Sequence, residues 1–228
     1  MATKENLKDQ EALQQEKIEA TVSKAEQFLR ENKKTIWGII IGILVIGFAV
    51  VAYQQFIAKP KKAEALEQMY PAEAAFRNGE FELALNGDDN NPGFIEIIDN
   101  YGSKAGSIVY FYAGICALQS KDYESAVSYL KKYNGKDAIL AARALSCLGD
   151  AYVGTGDLAA ALKEFEKAAA KADNMFAAEY MVKAATVAEE LGDTAKALSL
   201  YKTVKDKYPN SIEGYDIDKY IQRIESAE

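Results

Sequence analysis

The sequence predicts an all-α protein: an N-terminal transmembrane helix, then a solenoid of stacked helical hairpins closed by a C-terminal capping helix. Two patterns carry that reading. Between Lys34 and Lys59 there is no charged residue, and further along small residues recur as pairs twelve positions apart in four successive stretches. An apolar fraction of 49% gives the chain enough hydrophobic surface to build a core. The boundaries follow from these patterns: a charged tail over 1–34, a membrane helix over 35–58, a basic linker over 59–64 and the solenoid over 65–228.

In the tail, Ile18, Val22, Ala25 and Leu29 recur at spacings of four, three and four among charged residues, which predicts an amphipathic helix leading to the membrane. Such a helix would lie on lipid, pair with a partner, or do neither. The span itself is apolar from Ile36 to Ala52 apart from three glycines. Its eleven Ile, Leu, Val and Phe residues contribute roughly −3 to −7 kcal/mol of insertion free energy, with no charge opposing them. Trp37 and Tyr53 sit near its ends, where amphipathic rings favour the headgroup level, and Lys33, Lys34, Lys59, Lys61 and Lys62 flank it. A cleaved signal peptide is the competing reading, because Val50-Val51-Ala52 offers small residues; the charged leader and the length of the run favour a retained anchor. Five basic residues in the twenty before the span against four in the twenty after Ala58 leave the positive-inside rule nearly silent. Gly38 and Gly42 form a GxxxG pair, a candidate contact for weak self-association, although ordinary membrane glycine content is the simpler account.

Composition narrows the function classes. The tail is electrically neutral, whereas residues 63–228 carry 17 basic against 27 acidic groups, a field that repels nucleic acid. No histidine occurs anywhere, so the commonest general base and zinc ligand is missing, and no carboxylate stands beside an activated nucleophile. Cys116 and Cys147 lack the spacing of a metal knuckle or redox pair and read as small apolar side chains. The expectation is a binding protein with protein partners, without a catalytic site, metal, cofactor or small-molecule substrate.

The repeat units begin near residues 65, 107, 142 and 178. In the third, Leu148-Gly149, Tyr152, Gly156-Asp157, Ala161, Phe165 and Ala168 fall at positions 7-8, 11, 15-16, 20, 24 and 27. The fourth has Ala184-Ala185, Gly192-Asp193, Ala197, Tyr201 and Pro209 at 7-8, 15-16, 20, 24 and 32. The second has Tyr110, Ala113-Gly114, Asp122, Ala126 and Leu130 at 4, 7-8, 16, 20 and 24, with Lys121 where glycine is expected. A degenerate first unit has Ala72, Gly79, Phe81 and Ala84 at 8, 15, 17 and 20. Two antiparallel helices cross closely only where facing residues are small, and the pairs Ala72/Ala84, Gly114/Ala126, Gly149/Ala161 and Ala185/Ala197 supply that contact. This pattern resembles the tetratricopeptide repeat (TPR).

In the first unit the run Asn86-Gly87-Asp88-Asp89-Asn90-Asn91-Pro92-Gly93 ends the second helix. A fresh helix follows, with Phe94, Ile97, Ile98 and Tyr101 on one face. The run partly matches a calcium loop, but Pro92 removes a ligand position, and an Asx-rich turn suffices. Ile217, Tyr220, Ile221 and Ile224 repeat the amphipathic spacing in a capping helix over about 215–226.

The TPR resemblance implies a concave binding face at positions 2, 5, 9 and 12 of the first helices. Those positions, with position 6 of the second unit, give Leu66, Met69, Ile108, Phe111, Tyr112, Ile115 and Leu118 as candidate partner-binding residues. Their apolar character suits a hydrophobic peptide or partner helix, unless the 94–101 helix or the segment after the span already covers them. The positions of a chaperone-binding carboxylate clamp hold Met69, Glu73, Tyr112, Arg143 and Cys147, of which only Arg143 fits. Asp150, Glu179, Glu189 and Glu190 read as a solvated acidic face.

The order of parts also resembles the YfgM-type bacterial inner-membrane proteins, over most of residues 24–228. That resemblance implies a cytoplasmic N-terminus, periplasmic repeats, and partners among Sec translocon components, periplasmic chaperones or client polypeptides. A cytosol-facing receptor or assembly adaptor is the alternative.

Overall fold

A computed structural model describes residues 29–171, 174 and 176–226 of the chain. The expected amphipathic helix around Ile18, Val22 and Ala25 lies outside them. The chain forms two compact units, residues 1–59 and 60–228.

In the first unit, α1 (Lys33–Tyr53) is followed by a π-helical turn, Gln54–Ala58. Among the described residues one helix is long and apolar enough to cross a membrane, and its most apolar window, of mean hydropathy 2.6, has none of its residues buried. Ile43, Leu44, Ile46 and Phe48 are exposed along α1. Gly38 and Gly42 have open space around them.

The described helices of the second unit are, in order, α2 (Lys59–Arg77), α3 (Phe81–Asn86), α4 (Phe94–Tyr101), α5 (Ile108–Gln119), α6 (Tyr123–Leu130), α7 (Ala138–Thr155), α8 (Leu158–Lys171), α9 (Phe176–Glu190), α10 (Thr194–Lys207) and α11 (Ile212–Glu225). The stretch 59–64, read from sequence as a linker, lies in α2. Its Lys, Ala and Glu residues are good helix formers, and Pro60 follows directly on the π-helical turn, where the regular i to i−4 ladder is already interrupted.

Four tight turns of one design fold the helices into antiparallel pairs. At the end of each first helix a residue takes positive φ: Gly79 (80°), Lys121 (60°), Gly156 (81°) and Gly192 (80°). The next amide then reaches back five residues to a carbonyl: Glu80 to Ala75, Asp122 to Ala117, Asp157 to Tyr152 and Asp193 to Ala188, at 2.9–3.0 Å. This is the Schellman closure, which satisfies a carbonyl that the helix end would leave orphaned. Asp122, Asp157 and Asp193 also cap the following helix, each carboxylate accepting from the backbone N–H three residues on at 3.0–3.1 Å.

All eight small residues at the predicted helix crossings are buried. A side chain at Gly149 would run into the Phe165 ring, and one at Gly114 into Leu130. In the first repeat Gly87, at φ 76°, pairs with Pro92 across the inserted loop. Asp88 Oδ1 accepts from the backbone amides of Asn90 and Asn91 at 2.8 Å, which pulls its carboxyl below the usual range. Beyond the loop, α4 buries Phe94 and Ile97. At the far end α11 buries Ile217, Ile221 and Ile224 against α10.

Candidate binding groove

The first helices of the last three hairpins, α5, α7 and α9, enclose a cleft of about 250 Å³. One wall is apolar: Ile115 and Leu118 from α5, Tyr180 and the half-exposed Phe176 from α9. Helix periodicity brings the polar residues to the remaining walls, Arg143, Ser146, Cys147 and Asp150 from α7 with Glu179 and Lys183 from α9.

Lys183 organises the polar part. Its ammonium donates to Asp150 Oδ2 at 2.8 Å and Oδ1 at 3.1 Å, lies 3.4 Å from Glu179 Oε1 and 3.5 Å from Ser146 Oγ, and stands 5.7 Å from the centre of the Phe165 ring. Burial raises the Asp150 carboxyl above its usual range, and Lys183 pulls it only partly back. Burial would likewise depress the Lys183 ammonium, but the hydrogen bond and charge of Asp150, with Glu179, outweigh that and hold it high. The two shifts have different origins: burial raises Asp150, whereas the neighbouring carboxylates raise Lys183. Cys147 lies among these groups, and burial, reinforced by Asp150, pushes its thiol up to about 11. Cys116, wholly inside the core, is pushed up to about 12 by burial. Neither thiol has the acidity of a nucleophile.

Of the seven residues singled out from sequence, Ile115 and Leu118 line this cleft. Met69 and Phe111 are core residues, with 0% and 4% of their surface exposed, while Ile108 and Tyr112 pack half-buried against that core. The Tyr112 ring stacks on Phe94 of α4 at 5.3 Å and meets Phe76 edge-on at 5.0 Å; Phe111 touches Tyr133 at 5.4 Å. Helix α4 thus covers Tyr112. Leu66 remains exposed on α2.

Two carboxylates expected on a solvated acidic face are engaged instead. Asp150 takes Lys183, and Glu189 accepts from the Tyr201 hydroxyl at 2.7 Å and from Arg223 at 2.6 and 2.7 Å. In both cases the cation comes from a later helix, 33 and 34 residues downstream. A carboxylate followed by a cation one repeat length later is the sequence signal that would have found Lys183 and Arg223.

The model of a family described as Tetratricopeptide repeat matches residues 148–212. A crystal structure of MamA protein superposes with a TM-score of 0.56, at 17% identity, covering 73% of this chain and 83% of that one. Another crystal structure of MamA gives 0.52 at 18% identity, covering 68% and 92%. At such identities the likeness is one of fold. No curated protein matches the chain. Residues 148–212 therefore carry a tetratricopeptide repeat, within a chain whose hairpins are TPR-like from end to end of its second unit.

Proposed function

We propose that the chain is a membrane-anchored protein-binding scaffold of the bacterial cell envelope, whose α5/α7/α9 cleft holds a segment of a protein partner. The observation that carries this reading is the cleft itself. It combines an apolar wall at Ile115, Leu118 and Phe176 with the exposed guanidinium of Arg143 and an ordered Lys183–Asp150 pair on a rigid stack of helices. An apolar side chain of the partner would seat against Leu118 and Phe176 while its backbone or polar groups meet the opposite wall. Of the wider face read from the sequence, Met69, Ile108, Phe111 and Tyr112 serve mainly as support behind that wall, and Leu66 stays exposed on α2.

The span of α1 would tether the scaffold, and a tether raises the effective concentration of partners held in the same bilayer. The resemblance to YfgM-type proteins supports a cytoplasmic N-terminus, periplasmic repeats and partners among Sec translocon components, periplasmic chaperones or emerging client polypeptides. Gly38 and Gly42, open on the α1 surface, would allow weak self-association. Protease shaving of spheroplasts tests the orientation: the repeats should be digested from outside, and their protection would move the scaffold to the cytosolic side. Photo-crosslinkers at Leu118 and Phe176 in intact membranes test the cleft. Adducts to a defined envelope protein that disappear with Arg143→Glu are expected; adducts unchanged by that substitution would remove the cleft from the reading.

A further inference from the structure

We propose a second docking site, separate from the groove: an apolar pocket beside the α6–α7 loop that takes a large apolar side chain of a partner peptide flanked by acidic residues. The pocket encloses about 320 Å³. Its floor is Leu130 from α6 with Ala141, Ala144, Leu145 and Leu148 from α7, and Tyr133, Asn134, Gly135 and Lys171 form its mouth. That volume has room for a leucine or phenylalanine side chain.

The wall is preorganised. The Tyr133 ring packs on Phe111 at 5.4 Å and folds over Gly135 so closely that a side chain at 135 would collide with it. The first turn of α7 beneath the loop is held by the Asp137 carboxylate, which accepts from the Leu140 amide at 2.8 Å.

Charge identifies the ligand. In a second unit dominated by acidic groups, the loop beside this pocket carries Lys131, Lys132 and Lys136, and Lys171 stands at the mouth. Lys132 rests on the Tyr110 ring at 5.6 Å, while Lys131, on the Tyr152 ring at 5.2 Å, also feels the charges of Glu164 and Asp157, so Lys132, Lys136 and Lys171 supply the basic rim. Asp137, the acidic residue of the same loop, caps α7 and offsets part of this charge, which leaves the loop and Lys171 with a basic surplus. A basic island around an apolar hole on an otherwise acidic unit is complementary to an apolar residue between carboxylates, and it disfavours a basic segment by like-charge repulsion.

The test uses the full chain in detergent and a fluorescent peptide with phenylalanine between two acidic residues on each side. Two control peptides carry alanine in place of the phenylalanine, or lysines in place of the acids. We expect the first peptide to bind at least tenfold tighter than either control. Ala141→Leu, which fills the hole, and Lys171→Glu, a surface change that spares the fold, should each weaken it at least tenfold, while Lys183→Met in the groove should leave it unchanged. Equal binding of the phenylalanine and alanine peptides, binding indifferent to both Ala141→Leu and Lys171→Glu, or no binding of the first peptide would overturn the site. Loss on Lys183→Met alone would overturn it too, and would assign the peptide to the groove, leaving the scaffold reading intact.

Discussion

Replacing Glu189 by alanine should loosen the last three helices by about 2 kcal/mol, and replacing it by glutamine by less than half as much. Tyr201 is fully buried on α10, its ring stacked on Tyr220 of α11 at 5.2 Å, and its hydroxyl donates to Glu189 Oε1 on α9 at 2.7 Å. The nearest substitute acceptor is the Thr186 hydroxyl at 3.5 Å, too long to replace that bond fully. Burial is the main cause that pushes the Tyr201 phenol up to about 12, so it stays a donor throughout the working pH range. Alanine orphans a buried hydroxyl, a loss of about 1–3 kcal/mol, of which a long bond to Thr186 recovers part. It also removes the partner of Arg223, but that side chain is 58% exposed and such a pair adds only about 0–1 kcal/mol. Glutamine keeps an oxygen for Tyr201 and loses only the charge. Because a repeat array opens in sections, local opening is the quantity to measure. Hydrogen exchange of the full chain in detergent should show amides near Tyr201, Val204, Ile217 and Ile221 exchanging about thirtyfold faster in Glu189→Ala and only a few-fold faster in Glu189→Gln. Equal losses in the two variants, or an Arg223→Ala loss as large as that of Glu189→Ala, would show that the ion pair and not the satisfied hydroxyl holds these helices together.

Three further outcomes follow from the same geometry. Lys183→Met should destabilise the repeats by about 1–2 kcal/mol at neutral pH, since a third of each partner is exposed. The Asp150 carboxyl, already raised by burial, then rises further, and a carboxyl raised in the folded state costs stability as pH climbs from its ordinary 3.8 through the folded value; the variant should therefore recover towards pH 4, and a pH–stability profile parallel to that of the unmodified chain would refute the pairing. Lys121→Gly should stabilise the second hairpin by about 1 kcal/mol in denaturant melts, because a side chain is strained at φ 60°; no gain would mean that the lysine makes an offsetting contact. Gly149→Ala should lower stability by about 1–2 kcal/mol even though alanine is the better helix former, because its methyl group meets the Phe165 ring; an unchanged thermal midpoint would show that the ring can yield.

The fold was legible because its constraints are local. A glycine that can take positive φ, an aspartate that caps the next helix and a small residue every twelve positions each act within one hairpin, so they survive as a pattern in a single sequence. Even the missing glycine at 121 was visible, and the structure shows the turn forming with lysine at φ 60° all the same. The groove was much less legible. Position rules put Ile115 and Leu118 on the α5 surface that lines the cleft, but they could not tell that Phe111 would be enclosed and Tyr112 covered, because Tyr133 lies against Phe111 while Phe76 and Phe94 pack on Tyr112. The broken second helix of the first unit is the cause: the chain restarts as α4, and Phe94 fills space beside Tyr112 that a regular hairpin would leave to other residues.

The acidic face was misjudged for a related reason. Carboxylates at successive first helices look solvated when each unit is considered alone, since their partners lie one repeat away: Asp150 finds Lys183, Glu189 finds Arg223, and Glu166 on α8 finds Lys196 on α10 at 2.7 Å. The first hairpins instead meet through rings, with Phe76, Phe94, Phe111, Tyr112 and Tyr133 in one connected set of contacts. Over a continuing apolar core, the contacts between hairpins therefore add a connected set of rings near α5 and ion pairs one repeat apart beyond α7, and the cleft sits where the two patterns meet. That position explains its mixed lining without any residue being strained to produce it. Ile115 and Leu118 belong to the aromatic half and Asp150, Glu179 and Lys183 to the ionic half, and a partner lying across α5, α7 and α9 must match both.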